Sequence, residues 1–285
     1  MFSPINNDQE TLYYVKEAKS IINKTNEEKS YIDEDYIFKI SRTLCIYGDI
    51  ELFKLFYQSF PFILDNIDNL FSISLYQGHI DLVKYLYEFK KDIKLSGSDF
   101  SIICQRNFTD IIKFLYEIKP DLIKKILEPQ KLIKLNYFQE ICRNNNLELM
   151  RLFYEWCPFI KKVLDADKYL VFREASWMGY EEILKQYYYW IEDIPQDIFN
   201  ESFILASKYG HNHIIKQLLE WNKNILLDTF TMSTSISFAI DNKKYETIKL
   251  LIELNKKLLD DWYFKSYVNK NSDPKINEIY NEFIQ

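Results

Sequence analysis

Glycine is scarce in this chain: 285 residues contain only five. That excludes a Gly-rich phosphate-binding loop, and neither a G-x-S-x-G nor an H-E-x-x-H pattern occurs. Cysteine is rarer still, with four. Cys45, Cys104, Cys142 and Cys157 form no C-x-x-C pair, so they read as buried, reduced thiols of an intracellular protein rather than disulfides or a metal site. The three histidines are His79, His211 and His213. The last two lie two residues apart with no Cys or carboxylate partner placed to complete a metal set. No apolar run approaches the ~18 residues of a membrane span. The first residues, M-F-S-P-I-N-N-D-Q-E, lack a basic start followed by an apolar stretch, so no secretory signal is expected. The triplets at Asn23, Asn107 and Asn200 that match a glycosylation acceptor then read as chance. The net charge is −6, which argues against nucleic acid or an anionic membrane reached by bulk electrostatics.

What the chain has instead is hydrophobic residues, at 47%, and aromatic ones, at 17%, enough to argue against disorder. It also has one phrase that recurs seven times. The clearest copies are G-H-I-D-L-V-K-Y-L-Y-E from Gly78 and G-H-N-H-I-I-K-Q-L-L-E from Gly210. With the glycine slot as origin, the copies begin at Gly48, Gly78, Asn107, Asn145, Gly179, Gly210 and Lys243. The steps of 30, 29, 38, 34, 31 and 33 residues average 32.5. That is the period of a helix–turn–helix unit, and too short for three helices.

Each slot has a physical reason. A tight link between antiparallel helices needs a left-handed residue, which glycine takes freely and asparagine tolerates. Four of the five glycines sit there and only Gly97 lies elsewhere. Lys243 is the weakest member, so strain or a looser turn is expected at that position. Seven residues before the slot stand Ser41, Phe71, Phe100, Phe138, Phe172, Phe203 and Ile236. Four and three before it stand pairs such as Ile103-Cys104 and Ala206-Ser207. These spacings share one helical face, and small residues let the next helix approach. After the slot, apolar pairs at the fourth and fifth and at the eighth and ninth positions, such as Leu82-Val83 and Leu86-Tyr87, predict a second helix buried on two sides. The sixth position is always basic: Lys54, Lys84, Lys113, Arg151, Lys185, Lys216 and Lys249. An acid stands three residues earlier in six copies, so solvent-facing pairs within each helix are expected, each worth ~0.2–0.5 kcal/mol. Ile63, Ile93, Leu122, Ile160, Ile194, Ile225 and Leu258 follow the second helix, with Pro61, Pro120 and Pro158 two residues earlier in three copies to stop it.

Across residues 36–260 the pattern resembles ankyrin repeats. Phe203, Ala206 and Gly210-His211 match the family's first helix best, and Asp81 to Leu86 its second. The Thr-Pro-Leu-His opening and the Gly-Ala-Asp segment that shape β-hairpin fingers are missing, so short loops and an all-α solenoid of about seven helix–turn–helix repeats are expected. Divergent arrays of this Tyr-, Phe-, Ile-, Lys- and Asn-rich kind resemble those of large DNA viruses, some protists and intracellular bacteria. Residues 1–35 read as an N-terminal capping region, with a helix over 8–30 that places Leu12, Val15, Ala18 and Ile22 on one face. Residues 261–285 read as a C-terminal cap with a helix after Pro274. That tail has no clear match to the F-box-like segment viral ankyrin proteins can carry there. The stretch around Ile123–Lys134 reads as an insertion: an added turn and a short helix broken by Pro129.

The resemblance implies a concave face that exposes the two residues before each slot. The candidate partner-binding residues are Tyr47, Tyr76, Gln77, Gln105, Arg106, Arg143, Asn144, Trp177, Met178, Lys208 and Tyr209. Tyr, Trp, Arg and Met are enriched at interfaces, although they are also ordinary surface residues in so aromatic a chain. The expectation is a non-catalytic, monomeric protein–protein interaction scaffold in the cytoplasm (the host's, if viral), with no cofactor, no metal and no membrane. The protein partner is not specified by the sequence. A nucleic-acid-binding helical solenoid is the alternative, and an enzyme a distant third.

Overall fold

The computed structural model describes residues 8–92, 94–128, 137–157, 169–191, 193–260, 262–270 and 273–284. Among them there is no strand; the protein is all-α. It divides into two compact units, Met1–Ile126 and Leu127–Gln285, and the division falls inside the long, 38-residue step of the sequence period.

In the first unit the helices are α1 (Asp8–Ile22), α2 (Asn26–Ser30), α3 (Glu34–Tyr47), α4 (Ile50–Ser59), α5 (Ile67–Gln77), α6 (Ile80–Phe89), α7 (Gly97–Gln105), α8 (Thr109–Ile118) and α9 (Pro120–Ile126). The first helices of successive copies pack in order, α1 on α3, α3 on α5 and α5 on α7, and the second helices α6 and α8 pack likewise. The second unit holds α10 (Tyr137–Arg143), α11 (Leu147–Trp156), α12 (Leu170–Met178), α13 (Glu181–Trp190), α14 (Gln196–Tyr209), α15 (Asn212–Trp221), α16 (Thr229–Asp241), α17 (Tyr245–Leu254), α18 (Trp262–Lys270) and α19 (Pro274–Ile284). There α10, α12, α14, α16 and α18 pack in sequence, and the second helices pair α11 with α13, α15 with α17 and α17 with α19. The C-terminal segment is thus one more helix pair laid down on the same plan, with Phe264, Ile276 and Ile279 buried.

Every slot is left-handed. The φ angles are 86° at Gly48, 84° at Gly78, 61° at Asn107, 51° at Asn145, 76° at Gly179, 85° at Gly210 and 53° at Lys243. In six copies the N–H of the next residue donates to the carbonyl four before the slot, from His79 to Ser74 at 3.1 Å through Lys244 to Ala239 at 2.8 Å. This is the Schellman closure, which satisfies carbonyls that a helix end leaves without partners. Lys243 keeps the same turn, so it carries strain rather than a looser connection.

The slot glycines meet a second demand, close approach. A Cβ on Gly48 would lie 2.4 Å from the His79 ring, one on Gly78 2.6 Å from Phe108, and one on Gly179 2.6 Å from His211 Nδ1. On Gly210 it would lie 3.0 Å from the Lys244 side chain. In each case the residue just after one slot lies over the slot of the copy before it. The copies that open the two units differ: Asp49 and Asn146 instead cap their own helices, accepting from Leu52 N–H at 2.9 Å and Leu149 N–H at 2.8 Å.

The core follows the slots. The pairs four and three before each slot are buried in all seven copies, as are those four and five after. Phe53, Phe100, Phe153, Phe172 and Phe203 have no exposure, each contributing about 1.5–3 kcal/mol by burial. The serines among the small residues satisfy themselves, Ser74 Oγ donating to Leu70 O at 2.9 Å and Ser207 Oγ to Phe203 O at 2.8 Å, so neighbouring helices approach without orphaning a hydroxyl. Of the apolar residues after the second helix, Ile63, Ile225 and Leu258 are buried and Leu122 and Ile194 half-buried. Ile93, Pro129, Pro158 and Ile160, and the side chain of Phe138, lie outside the described residues. Pro61 and Pro120 open new turns just after α4 and α8 end.

Two expectations need correction. The N-terminal segment is not one helix over 8–30. It breaks after Ile22, and Thr25 starts a new helix through a capping box, accepting from Glu28 N–H at 3.2 Å while Glu28 accepts from Thr25 N–H at 2.8 Å. The buried face of α1 is Tyr14, Val15, Ala18 and Ile21, and Leu12 is 48% exposed, because helix α3 meets α1 one residue round from the face expected. The basic sixth position forms the expected pair in Lys54–Glu51 at 2.8 Å and Lys185–Glu182 at 3.6 Å. At two others it reaches the seventh position of the next copy: Lys84 Nζ lies 5.8 Å from the Phe114 ring centre, and Arg151 Nε donates to Gln186 Oε1 at 2.8 Å, while Lys249 pairs with Glu282 of α19 at 2.8 Å. Lys54 does both, lying 5.6 Å from the Tyr85 ring centre. An exposed i,i+3 pair gains so little that a ring or amide on the next helix competes with it.

Substitutions at the slot are therefore expected to act in opposite directions. Gly179→Ala, which adds both left-handed strain and a clash with His211, should cost about 2–4 kcal/mol. Lys243→Gly should stabilise by about 0.5–1 kcal/mol, relief of strain outweighing the added chain entropy. Urea denaturation of the two variants against the parent measures both.

Candidate functional site

Helix ends expose carbonyls, and here the next copy covers them. His79 Nε2 donates to Ile46 O at 2.9 Å, His211 Nε2 to Trp177 O at 2.8 Å, and Tyr180 OH to Arg143 O at 3.3 Å. Arg106 Nη1 donates to Tyr76 O. Each acceptor lies two residues before a slot, where the first helix runs out of intrahelical donors. A carbonyl can only accept, so both histidines carry their proton on Nε2. His213 Nε2 likewise donates to Gly179 O at 3.0 Å. All three histidines are therefore braces between copies.

The eleven candidate residues fall into two sets, one in each unit. In the first unit much of their polar chemistry is spent internally. Tyr76 OH donates to Asp99, and burial together with that carboxylate pushes the phenol up to about 12. Burial pushes Asp99 up too, but hydrogen bonds from Tyr76 and Ser96 outweigh it and hold the carboxyl below its usual range. The Arg106 guanidinium is held by the Tyr76 carbonyl. Gln77 is half-buried, Gln105 exposed, and Tyr47 49% exposed.

In the second unit, Arg143 is clamped by two carboxylates, 3.4 Å from Glu140 and 3.3 Å from Glu174. Glu174 is 6% exposed and its Oε1 also accepts from Gln139 Nε2 at 2.6 Å. Asn144 and Met178 are half-buried. Trp177 and Tyr209 are each 36% exposed, with ring centres 5.8 Å apart. Lys208 Nζ sits 5.5 Å from the Tyr209 ring centre and 5.3 Å from that of Phe238. The structure thus assembles one continuous group, Trp177, Tyr209, Lys208 and Phe238, from three successive first helices, α12, α14 and α16.

The second helices carry a different aromatic series. Tyr at the ninth position meets a large ring at the eleventh position of the next copy: Tyr154 stacks on Trp190 at 4.0 Å, Tyr188 on Trp221 at 3.9 Å, and Tyr57 meets Phe89 edge-on at 5.2 Å. Tryptophan at the eleventh position of three consecutive copies (Trp156, Trp190, Trp221) was the signal for it. These stacks bind copy to copy and leave their faces occupied.

A depression of about 530 Å³ on the first unit is lined by Asp35, Phe38, Lys39, Arg42, Asp65 and Asn66. Its charges oppose one another, and Lys39 is already 3.5 Å from Glu10 and 4.7 Å from the Tyr14 ring centre. Among the described residues no group of three or more His, Cys, Asp or Glu is placed to hold a metal ion, and no helix is long and apolar enough to cross a membrane. Cys45 is buried, and desolvation pushes its thiol up to about 12, which removes the thiolate a nucleophile needs.

His211 gives the second unit a pH dependence. Burial holds its imidazole below the usual value, with His213 and Lys244 adding repulsion against the hydrogen bond to Trp177 O. The folded state therefore binds the proton less readily than the unfolded chain. The stability that neutral His211 contributes is complete above the unfolded pKa of about 6.5 and is lost as pH falls from there towards the folded value. His211→Phe, which copies the ring that Phe108 lays over Gly78, should shrink the drop in melting temperature between pH 7.5 and 5.5; an unchanged drop would assign the pH dependence to other groups.

Comparison with protein-family models, with curated proteins and with solved structures gives no match.

Proposed function

We propose that the chain is a non-catalytic scaffold, an ankyrin-like solenoid of helix–turn–helix copies that binds a protein or peptide on its first-helix face. One observation carries the reading. Where the fold needs the residues before the slots, it uses mainly their backbone carbonyls, yet Trp177 and Tyr209 remain 36% exposed as a ring pair. Rigid aromatic side chains presented on packed helices are the common anchors of interfaces. Catalysis has less support: the histidines brace neighbouring copies and the Cys45 thiol is buried. The nucleic-acid reading loses support as well. Arg106 and Arg143, its two arginines, are held by a carbonyl and by two carboxylates, in a chain of net charge −6. A monomer acting in the cytoplasm completes the reading.

The test is capture of partners from the native cell with the parent chain and with Trp177→Ala/Tyr209→Ala. Truncating Tyr76 or Arg106 would disturb braces between copies, whereas these two side chains can be removed with the carbonyl caps intact. Loss of two anchors should weaken a true partner by at least about 30-fold, on the order of 2 kcal/mol, while the melting temperature stays near that of the parent. Undiminished capture by the folded variant would sink the proposal.

A further inference from the structure

The exposed polar atoms of the Trp177 patch are an indole N–H and an ammonium, which can only donate, and a phenol, which can donate. The Trp177 indole N–H and the Tyr209 hydroxyl have no hydrogen-bond partner among the described residues, and Lys208 has no acid within pairing distance among them. Of the nearby carboxylates, Asp241 accepts through Oδ1 from Tyr267 OH at 2.6 Å, and Glu174 is turned inward, its Oε1 accepting from Gln139 and Arg143 and its Oε2 buried out of reach of a ligand. Lys208 is held near the Tyr209 and Phe238 rings rather than over a carboxylate. A cation resting on ring faces is attracted only modestly, by about 0.5–1 kcal/mol at an exposed site. A carboxylate brought to it, with the rings excluding water, forms the stronger charge-assisted contact.

Resting on the scaffold reading, we infer that the Trp177–Tyr209–Lys208–Phe238 patch of the second unit docks an acidic, apolar-anchored peptide segment of a partner protein. A large aliphatic or aromatic side chain covers the Trp177–Tyr209 rings. An adjacent Asp or Glu pairs with Lys208, and its carbonyls or carboxylate accept from the indole N–H and the phenol. The occupant is chosen by complementarity: a surface of donors and rings needs acceptors and apolar bulk. A basic segment would set its charge against Lys208, and a proline-rich one would leave that charge unmatched. The candidate residues of the first unit are outside this site, because Tyr76 and Arg106 are consumed as braces.

The experiment is selection of a random dodecapeptide phage library on the full-length chain, followed by fluorescence-polarisation titration of the enriched peptides in labelled form. Expected are peptides with Asp or Glu beside a large apolar residue. Their affinity should fall at least tenfold in Trp177→Ala and in Lys208→Glu, and fall with added salt. Exchanging the peptide's acid for lysine should restore binding to Lys208→Glu, a rescue that a structural role for Lys208 would not give. Lys208→Gln, a milder change checked by its melting curve, should lose several-fold. Enrichment of proline-rich or basic peptides, or binding indifferent to Lys208→Glu, overturns the inference. Binding that depends on Tyr47 or Gln105 instead would overturn it while leaving the scaffold reading intact. Failure to enrich any peptide would count against both.

Discussion

The structure depends on a left-handed turn that the following copy covers with a side chain. The turn forces the chain to reverse between two helices, and four of its seven slots are glycine. That glycine leaves a bare backbone surface onto which the next copy lays His79, Phe108, His211 or Lys244. The same side chains, or their neighbours, then reach the carbonyls that the first helix cannot satisfy. One position thus does two tasks, local reversal and attachment to the next copy. In the copies that open each unit the residue after the slot, Asp49 or Asn146, serves as an ordinary cap of its own helix.

This economy explains which side chains are left over. Packing between copies is supplied by buried apolar pairs, by the tyrosine–tryptophan stacks along the second helices and by the carbonyl braces. The first helices can then vary at the two positions before each slot as long as the backbone carbonyl stays in place. In the first unit that freedom is partly spent again, on the Tyr76–Asp99 bond and the Arg106 brace. In the second it leaves two rings and a cation facing outward.

Much of the fold was legible in the sequence because its determinants are local. The slot residues announced their left-handed conformation, including Lys243, which takes it at a cost. The pairs four and three before the slot, and four and five after, announced the buried faces. Interactions from one copy to the next were not legible, since nothing in a single copy says that the residue after the slot lies over the preceding glycine. For the same reason Lys84 and Arg151, read as partners of an acid on their own helix, turned to Phe114 and Gln186 on the next. The face of α1 was misjudged by a residue because its buried side is set by packing on both α3 and α4, which its own residues do not reveal. Among the candidate residues the sequence could not separate Trp177 and Tyr209, whose rings stay 36% exposed, from Tyr76 and Arg106, whose polar groups the fold uses between copies.

The central claim is that slot glycine and covering side chain act as one unit, and a double-mutant cycle between Gly179→Ala and His211→Ala measures it most directly. Gly179→Ala alone meets both the strained φ and the His211 ring; in the His211→Ala background only the strain remains. The account predicts that the double variant is more stable than the sum of the single losses implies, by at least about 1 kcal/mol, a coupling typical of residues in contact. Losses that add within about 0.3–0.5 kcal/mol, as for independent sites, would contradict it.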